Sequence, residues 1–548
     1  MIAPIGMAGM GALGAAAPEL TDIPGLLAAL PRRISDIPDL QAERAPAAAA
    51  LRESARTWSY AELAETSRRC AADLAAAGVR GGDRVLVLGE NCAALVAILL
   101  GAARLDAWAV PINARLSARE VDAIRDHCTP RRTVYLTQVS PDAAAHAGRH
   151  GATRAWDAGG MGSVVLGPVN AACRPEPVSE DSAAQVAALL YTSGTTGDPK
   201  GVMLTHRNLL YIAKLSSTLR VLVQTDRVYG VLPIAHIYGL ASVCLGTLFA
   251  GACIHLEARY APQTMLHAIV HDGITVLQGV PSMYAKLLDY MRVSGTTFDA
   301  PGLRLCYAGG SPLTPALKAD FERVFGAPLH NGYGLTEASP TIAHTLLDAP
   351  RADCAVGMLI PGLEMRIVDL RDAKQRDVPE GEAGELWIRG PNVMRGYYRD
   401  PALTTRTIDA DGWLNTGDIA RRGPDGALFI VGRTKELIIH SGFNVYPVEV
   451  ESVLNAHPAV THSAVVGRPV EGNEDVIAFV ELAPGASATP EELARFAAAS
   501  LAPYKRPAEI VILPTLPAAA SGKILKHRLR ALAARAPTGV ASEPTTSA

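Results

Sequence analysis

Residues 191–202 read YTSGTTGDPKGV, and this stretch decides how the rest of the chain is interpreted. Its twelve residues hold four Ser/Thr hydroxyls, three glycines and one lysine, directly after the apolar run VAALL. A surface turn needs only one or two Gly or Asn residues. A loop that follows a buried strand can instead turn its backbone N–H groups toward phosphate oxygens, with hydroxyls and Lys200 as further donors. The order of residues differs from the Walker A motif, but it still predicts a phosphate-binding loop.

Apolar runs of strand length alternate with helical patterns through most of the chain. DRVLVLG at 83–89 is followed by the helical NCAALVAILLGAARLDA, and ITVLQGVP at 274–281 also precedes a helix. This alternation indicates largely parallel, doubly wound sheets. The predicted fold class is therefore α/β, with a large N-terminal domain of doubly wound mixed sheets.

The pattern changes after about residue 386, where short strands such as GELWIRG and GALFIVG are separated by glycine-rich turns. These strands predict a β-barrel-like subdomain, and the residues from Lys435 onward predict a small α+β domain. The predicted division is an N-terminal extension and lead-in (1–50), a large N-terminal domain (51–434), a small C-terminal domain (435–535) and a tail (536–548) whose composition is that of disorder.

The composition excludes several classes of protein. The net charge of −3 over 548 residues gives no electrostatic signal for nucleic-acid binding. The eight cysteines form no CxxC pair, which argues against a zinc site or a secreted disulfide framework. One uncharged run, residues 239–256, has about the length of a membrane span, but its Gly, Cys and His content favours a buried helix followed by a strand. A cytoplasmic protein without stable membrane insertion is predicted.

Five further segments point to one family. They are YAGGSPL at 307–313, NGYGLTEAS at 331–339, WLNTGD at 413–418, FIVGRTKELI at 429–438 and LPAAASGKILKHRL at 516–529. Together with the opening stretch, in this order, they resemble the adenylate-forming superfamily, which includes acyl-CoA synthetases, peptide-synthetase adenylation domains and luciferases. The resemblance covers about residues 50–530, and it is strongest to the acyl-CoA synthetases that act on fatty or aromatic acids.

The resemblance implies a nucleotide site built from these motifs. The implied phosphate contacts are Thr192, Ser193, Gly194, Thr195, Thr196, Gly197 and Lys200. The implied adenine-side residues are Gly309, Gly310, Ser311, Asn331, Gly332, Tyr333 and Gly334. Thr336 is implied to bind the α-phosphate and Glu337 to hold Mg²⁺, which prefers one or two carboxylates together with phosphate oxygens. Asp418 and Arg433 are implied to bind the ribose hydroxyls.

The same resemblance implies residues for the two half-reactions. Lys523 corresponds to the adenylation lysine, whose charge would bridge the substrate carboxylate and the α-phosphate. Lys435 corresponds to the hinge between the two domains. Gly442 would let the pantetheine arm of coenzyme A pass close to the backbone, and Asn444 would lie nearby.

The acyl pocket is the least specific part of the resemblance. The implied residues are His236, Tyr238, Ser242, Tyr307, Gly310, Gly332, Gly334 and Pro340, with His236 near the carboxylate end. The segment PIAHIYGL carries no acidic residue that could pair with an α-ammonium group, so an amino-acid substrate is disfavoured. Tyr307 is bulky for its position and predicts a shortened tunnel.

The resulting prediction is an ATP-dependent carboxylic acid:CoA ligase that works through an acyl-adenylate and uses ATP, Mg²⁺ and coenzyme A. Two alternatives stay open from the sequence: an acyl-AMP ligase that transfers to a carrier-protein thiol, and a catalytically silent nucleotide-binding relative. The predicted partners are a small carboxylic acid, ATP and CoA, with no nucleic acid. A homodimer is left open, as are the identity of the acid and regulation by acylation of Lys523.

Overall fold

The hydroxyl-rich stretch joins two antiparallel strands, Val186–Ser193 and Pro199–Thr205. In this hairpin Thr192 lies opposite Lys200, and Ser193 lies opposite Pro199. The sequence predicts a strand only as far as the apolar run and a loop from there on. The first strand extends further because the second strand supplies its hydrogen-bonding partners, and apolar periodicity does not report that pairing.

The computed structural model describes residues 20–193, 199–296, 302–370, 372, 374–441, 443–470, 473–483, 485–518 and 524–534. Six residues predicted for the site lie outside these ranges, and for Ser193 only the backbone is described. The six are Gly194, Thr195, Thr196, Gly197, Gly442 and Lys523.

The chain divides into two compact units. The first comprises residues 1–416 and 421–429, and the second comprises residues 417–420 and 430–548. The division passes through two strands, Leu414–Arg422 and Leu428–Arg433.

One large sheet of the first unit has nine strands. Six central strands are mutually parallel, and antiparallel strands extend both edges. Such a mixed sheet agrees with the predicted α/β class. In spatial order the strands are Met358–Leu359, Thr341–His344, Leu329–Gly334, Leu305–Ala308, Val276–Gly279, Arg227–Gly230, Cys253–Leu256, Ala49–Glu53 and Arg56–Ser59.

A second sheet of the same unit has eight strands and contains the hairpin. Four parallel strands form its centre, and its inward side chains build a core around Leu86, Val110 and Leu189. In spatial order the strands are Gly396–Tyr397, Pro199–Thr205, Val186–Ser193, Trp108–Asn113, Arg84–Gly89, Arg132–Tyr135, Ser163–Leu166 and Arg154–Asp157.

Helices connect these strands, and several begin with a side-chain cap. Ser59, for example, accepts a hydrogen bond from the Glu62 N–H while the Glu62 carboxylate accepts one from the Ser59 N–H. The α-helices of this unit are Ile23–Ala28, Asp36–Arg44, Tyr60–Ala76, Ala93–Arg104, Ala118–Cys128, Pro141–Arg149, His206–Leu219, Gly246–Phe249, Pro262–His271, Pro281–Ser294, Pro315–Phe325 and Pro401–Thr407. A π-helix spans Tyr238–Leu245 and a 3₁₀-helix spans Thr336–Ala338.

The uncharged run at 239–256 is a buried helix followed by the buried strand Cys253–Leu256, as predicted. Within the described ranges, none of the helices is long and apolar enough to cross a membrane. In the region predicted to be barrel-like, Glu364–Val368 and Gly384–Arg389 form an antiparallel pair.

The second unit has the predicted α+β order of elements. A hairpin, Ile438–His440 and Phe443–Val445, precedes a three-stranded sheet. Its apolar core includes Val450, Val465 and Leu493. The sheet strands are Val460–Val470, Asn473–Leu482 and Glu509–Ile512; the helices are Pro447–Leu454, Pro490–Ala498 and Lys526–Ala533; and two 3₁₀-turns are Thr434–Glu436 and Pro503–Lys505.

Candidate active site

A short strand from a distant part of the sequence completes the hairpin that carries Lys200. Gly396–Tyr397 pairs antiparallel with Pro199–Thr205, so that Tyr397 lies opposite Val202. The Nζ atom of Lys200 lies 5.9 Å from the centroid of the Tyr397 ring. The ring therefore provides an aromatic surface beside the lysine that the sequence assigned to phosphate binding.

Glu337, the predicted Mg²⁺ ligand, is held through both its side chain and its backbone. The Tyr397 hydroxyl donates a hydrogen bond to Glu337 Oε1 at 2.8 Å, and the Met394 N–H donates to the Glu337 carbonyl at 2.8 Å. Burial and the neighbouring Glu337 carboxylate raise the pKa of Tyr397 well above its ordinary value. Tyr397 therefore stays protonated and acts as a donor to the carboxylate.

The turn after Glu337 depends on a buried asparagine. The Nδ2 atom of Asn392 donates to the carbonyls of Ala338 and Thr341, both at 2.8 Å, and the Asn392 carbonyl accepts from the Ser339 hydroxyl at 2.7 Å. Asn392 is fully buried. Neither Asn392 nor Tyr397 was identified from the sequence, because each acts on residues more than fifty positions away.

The predicted adenine-side turn brings a glycine and an aromatic ring into close contact. A Cβ atom on Gly309 would lie 3.2 Å from Cε1 of Tyr238, so a larger residue would displace the ring. Gly310 has a φ of +81°, which glycine adopts without strain, and it is exposed together with Ser311. The turn can thus present its backbone to a flat ligand.

The strand Leu329–Gly334 supplies the next predicted residues. Asn331 is buried, and its Nδ2 atom donates to the carbonyls of Cys354 and Ala355 at 3.2 and 3.3 Å, so this side chain supports the strand end. Tyr333 is half-buried and lies opposite Ala343. A Cβ atom on Gly334 would lie 2.2 Å from the Pro340 carbonyl oxygen, which only glycine permits.

The predicted acyl-pocket residues come from several elements and loops of the first unit. His236 is exposed, Tyr238 begins the π-helix, and Ser242 is buried with its hydroxyl 3.5 Å from that of Thr341. Tyr307 lies on the strand Leu305–Ala308. Pro340 is buried beside the strand Thr341–His344.

The Tyr307 hydroxyl lies against Gly332, where a Cβ atom would be 2.7 Å from it. The hydroxyls of Tyr238 and Tyr307 are both buried, and neither has a hydrogen-bond partner among the described residues. Burial raises the pKa of Tyr238 to about 12, so its hydroxyl keeps its proton at neutral pH. The predicted pocket region therefore contains two buried, unsatisfied donors.

In the second unit, the predicted ribose-binding pair is formed. Arg433 Nε lies 2.9 Å from Asp418 Oδ1, and the Asp418 side chain is 5% exposed while that of Arg433 is 49% exposed. A carboxylate and a guanidinium placed side by side are the types of group that bind the paired hydroxyls of a ribose. Lys435 and Asn444 are both exposed.

A lysine whose side chain is 15% exposed connects three elements of the second unit. The Nζ atom of Lys526 lies 2.7 Å from Glu436 Oε2 and 2.8 Å from Glu451 Oε1. Burial acts to lower the pKa of Lys526, but the two carboxylates outweigh it and raise that pKa above its ordinary value. Because Glu436 follows Lys435 in sequence, this cluster ties the start of the last helix to the predicted hinge.

The structure brings together two groups of predicted residues in the first unit. Lys200 and Glu337 meet at Tyr397, and Tyr238, Gly309, Gly332 and Tyr307 form a second contact group. Asp418 and Arg433 form their pair within the second unit. The described part of the chain contains no group of three or more His, Cys, Asp or Glu that could hold a metal ion. A carboxylate such as Glu337 would therefore need ligand oxygens to complete a metal shell.

Comparison with known families gives two matches that together span most of the chain. Residues 39–398 match the family model described as AMP-binding enzyme. Residues 449–523 match the model described as AMP-binding enzyme C-terminal domain.

Characterised relatives align over nearly the whole chain. A feruloyl-CoA synthase from an Amycolatopsis species is 36% identical over 502 residues, which is 90% of this chain and 97% of that protein. The 4-coumarate–CoA ligase 3 of Oryza sativa subsp. japonica is 34% identical over 512 residues, covering 89% of this chain and 90% of the ligase.

Solved structures agree with the fold. ATP-bound MatB from Rhodopseudomonas palustris superposes with a TM-score of 0.80 at 30% identity, covering 91% of this chain and 99% of MatB. The o-succinylbenzoate coenzyme A synthetase of Bacillus subtilis, in complex with ATP and magnesium ion, gives a TM-score of 0.77 at 29% identity, with 90% and 99% coverage. The predicted α/β fold with a large N-terminal and a smaller C-terminal part is confirmed.

Proposed function

The chain belongs to the AMP-binding enzyme family, and we propose that it is an ATP-dependent carboxylic acid:CoA ligase that works through an acyl-adenylate. The observation that carries this proposal is that Lys200 lies over the ring of Tyr397 while Glu337 accepts from the hydroxyl of the same residue, next to the hydroxyl-rich hairpin. A cation and a carboxylate held beside such a loop suit a nucleotide triphosphate with its magnesium ion.

In the first half-reaction, a carboxylate oxygen of the acid attacks the α-phosphorus of ATP, and the bond to the bridging oxygen of pyrophosphate breaks. Negative charge builds on the phosphate oxygens, and we assign its stabilisation to Lys200, Thr336 and Lys523. Asp418 and Arg433 hold the ribose, and Tyr333 stacks on the adenine. The products are the acyl-adenylate and pyrophosphate.

Mg²⁺ would be held by Glu337 together with phosphate oxygens, and when bound it would neutralise charge on the phosphates. The residues present fit this ion, because Mg²⁺ retains several non-protein oxygens and takes one or two carboxylates from the protein. The hydrogen bond from Tyr397 to Oε1 fixes the orientation of the whole Glu337 carboxylate, because both oxygens lie in one plane.

In the second half-reaction, the thiolate of CoA attacks the carbonyl carbon of the adenylate, and AMP leaves with the electrons of the broken C–O bond. Under this proposal the C-terminal domain turns about Lys435 between the two steps, which removes Lys523 and brings Gly442 and Asn444 to the thiol. No side chain needs to act as a strong acid or base here, because AMP is a good leaving group. Positioning therefore dominates.

For the acid, we propose an aromatic carboxylic acid rather than a fatty acid. Two similar proteins are a feruloyl-CoA synthase and a 4-coumarate–CoA ligase, and the bulk of Tyr307 favours a short tunnel over a long one. A cytosolic location is part of the same proposal, since all eight cysteines are free thiols, as a reducing compartment keeps them.

The test is pyrophosphate release with ATP, Mg²⁺ and a panel of acids, with and without CoA, and with products identified by mass. The panel includes short to long fatty acids, benzoates and cinnamates. Turnover that yields an aromatic acyl-CoA supports the proposal. Adenylate formation that proceeds to a carrier-protein thioester but not to acyl-CoA would establish the acyl-AMP ligase instead, and ATP binding without pyrophosphate release on any acid would indicate a silent relative.

A further inference from the structure

An arginine without an acidic partner is buried beside the predicted acyl pocket. Arg220, which follows the helix His206–Leu219, is only 4% exposed. Its Nε and Nη1 atoms are buried and make no hydrogen bond to any described residue, and no ion pair to it is found there. An unpaired buried charge is costly, so a protein retains one where something else pairs with it.

Arg220 lies with the two unsatisfied tyrosines already described. Its Cζ atom is 4.8 Å from the centroid of the Tyr307 ring, and the Tyr307 hydroxyl lies against Gly332. The stacking of Arg220 on Tyr307 offsets part of the cost of burying the charge, but no described residue accepts a hydrogen bond from the Nε or Nη1 atom of Arg220. Arg220, Tyr238 and Tyr307 thus offer three buried donor side chains to one region.

Among the described residues, no carboxylate lies within ion-pair distance of Arg220. His344 lies near Arg220, and burial together with the Arg220 charge lowers the pKa of His344 to about 4, so His344 is neutral at pH 7. Arg220 therefore carries the positive charge in the cluster that it forms with Tyr238, Tyr307 and His344. A carboxylate, which accepts about four hydrogen bonds through two oxygens, complements the charge of the guanidinium and can accept from its Nε and Nη1 atoms and from the two hydroxyls.

We propose that Arg220 recognises a second, negatively charged group at the far end of the acid substrate, with the Tyr238 and Tyr307 hydroxyls as additional donors. This inference rests on the proposed function, since it assumes that the acyl group occupies this region. It narrows the substrate from aromatic acids in general to those that carry an anion, such as a carboxylate, remote from the carboxyl group that is activated.

The test compares the binding of three acids of one shape by isothermal titration calorimetry on the full chain: cinnamate, 4-hydroxycinnamate and 4-carboxycinnamate. We expect the wild type to bind 4-carboxycinnamate at least about tenfold more tightly than cinnamate, because the pairing of a buried charge is worth that much or more. In Arg220→Met, which keeps the side-chain bulk without the charge, the ratio is expected to fall to about one.

Two further variants separate recognition from folding. Arg220→Lys keeps the charge but not the planar fork, and it is expected to retain a reduced preference for the dianion. Arg292→Met removes an exposed arginine from the helix Pro281–Ser294 and is expected to leave the ratio unchanged. Equal affinity of the wild type for all three acids, a preference for 4-hydroxycinnamate over 4-carboxycinnamate, or a preference that survives in Arg220→Met would each overturn the proposal. If Arg220→Met does not fold, the proposal is tested by the ratio of affinities for 4-carboxycinnamate and cinnamate in the wild type and in Arg220→Lys.

A parallel measurement distinguishes failure of this inference from failure of the proposed function. The same acids are incubated with ATP, Mg²⁺ and CoA, and acyl-CoA is detected by mass. An Arg220-dependent preference in binding without acyl-CoA from any acid would leave the anion site standing and refute the ligase proposal. Formation of cinnamoyl-CoA, with no preference for binding the dianion, would support the ligase proposal and refute the anion site.

Discussion

The Tyr397 hydroxyl donates a hydrogen bond to Glu337 Oε1 at 2.8 Å, across sixty residues of sequence. The two side chains meet because the strand Gly396–Tyr397 pairs with Pro199–Thr205 and because the Met394 N–H binds the Glu337 carbonyl. The proposed metal ligand is thus oriented by the same segment that extends the hairpin of Lys200. A carboxylate held in this way needs no reorganisation when a cation arrives.

Tyr397→Phe should raise the Mg²⁺ concentration that the protein needs for pyrophosphate release. A hydrogen bond to a charged group contributes about 1.5–3 kcal/mol, so the Mg²⁺ concentration at half-maximal pyrophosphate release should rise by roughly ten- to one-hundred-fold. The measurement is a Mg²⁺ titration at fixed ATP. Tyr398→Phe is the matched control, because the Tyr398 hydroxyl donates to Glu176 at 2.7 Å. An equal change in both variants would show that Tyr397 does not act through Glu337.

Lys526→Met should destabilise the second unit. The substitution leaves Glu436 and Glu451 without their shared cation, and breaking a buried charge pair costs about 3–5 kcal/mol. The loss should appear as a lower urea midpoint in equilibrium denaturation. Lys505→Met removes the pair with Glu449, whose side chain is 42% exposed, and should cost about 0–1 kcal/mol. Similar losses in the two variants would contradict the buried role of Lys526.

Acid should destabilise the first unit from pH 6.5 downward. Burial lowers the pKa of both His330 and His344 to about 4, so the folded chain resists protonation of groups that titrate near 6.5 when unfolded. A depressed folded pKa means that stability is complete above pH 6.5 and is lost as pH falls toward 4. At pH 5 the loss is about 2 kcal/mol for each histidine.

Urea denaturation between pH 7.5 and 5 measures this loss. His344→Gln should show a shallower decline in stability with falling pH than the wild type. His527→Gln, which changes an exposed histidine on the last helix, should show the wild-type slope. If the free energy of unfolding of the wild type did not change between pH 7.5 and 5, burial would not be keeping these histidines neutral.

Lys523→Ala should separate the two half-reactions. Removal of the proposed bridging cation should reduce the rate of adenylate formation by about 10²–10³-fold. This rate is measured by ATP–pyrophosphate exchange. Thioester formation from supplied acyl-AMP and CoA should keep the wild-type rate, because the proposed rotation about Lys435 would remove Lys523 before that step. Lys286→Ala, an exposed position on the helix Pro281–Ser294, is the control for loss of one charge. Equal loss in both half-reactions would refute the rotation.

The sequence by itself determined the class of fold, the motifs and most of the elements. Apolar runs and helical periodicity reflect which face of a segment is buried, so the strand Arg84–Gly89 and the helix Ala93–Arg104 were predicted close to their bounds. The loop chemistry around Lys200 and the signature containing Glu337 were also recognisable, because their residue types lie next to one another along the chain.

Only the tertiary structure decided how these motifs are held and what surrounds them. The contact of Tyr397 with Glu337 and the placement of Arg220 beside Tyr307 join residues 60 and 87 positions apart. Such contacts depend on strand pairing and helix packing, which local periodicity does not encode. An isolated tyrosine or arginine in the sequence gives no sign of its burial. Burial is what distinguishes Arg220, for which the described residues supply no carboxylate, from a solvated surface charge.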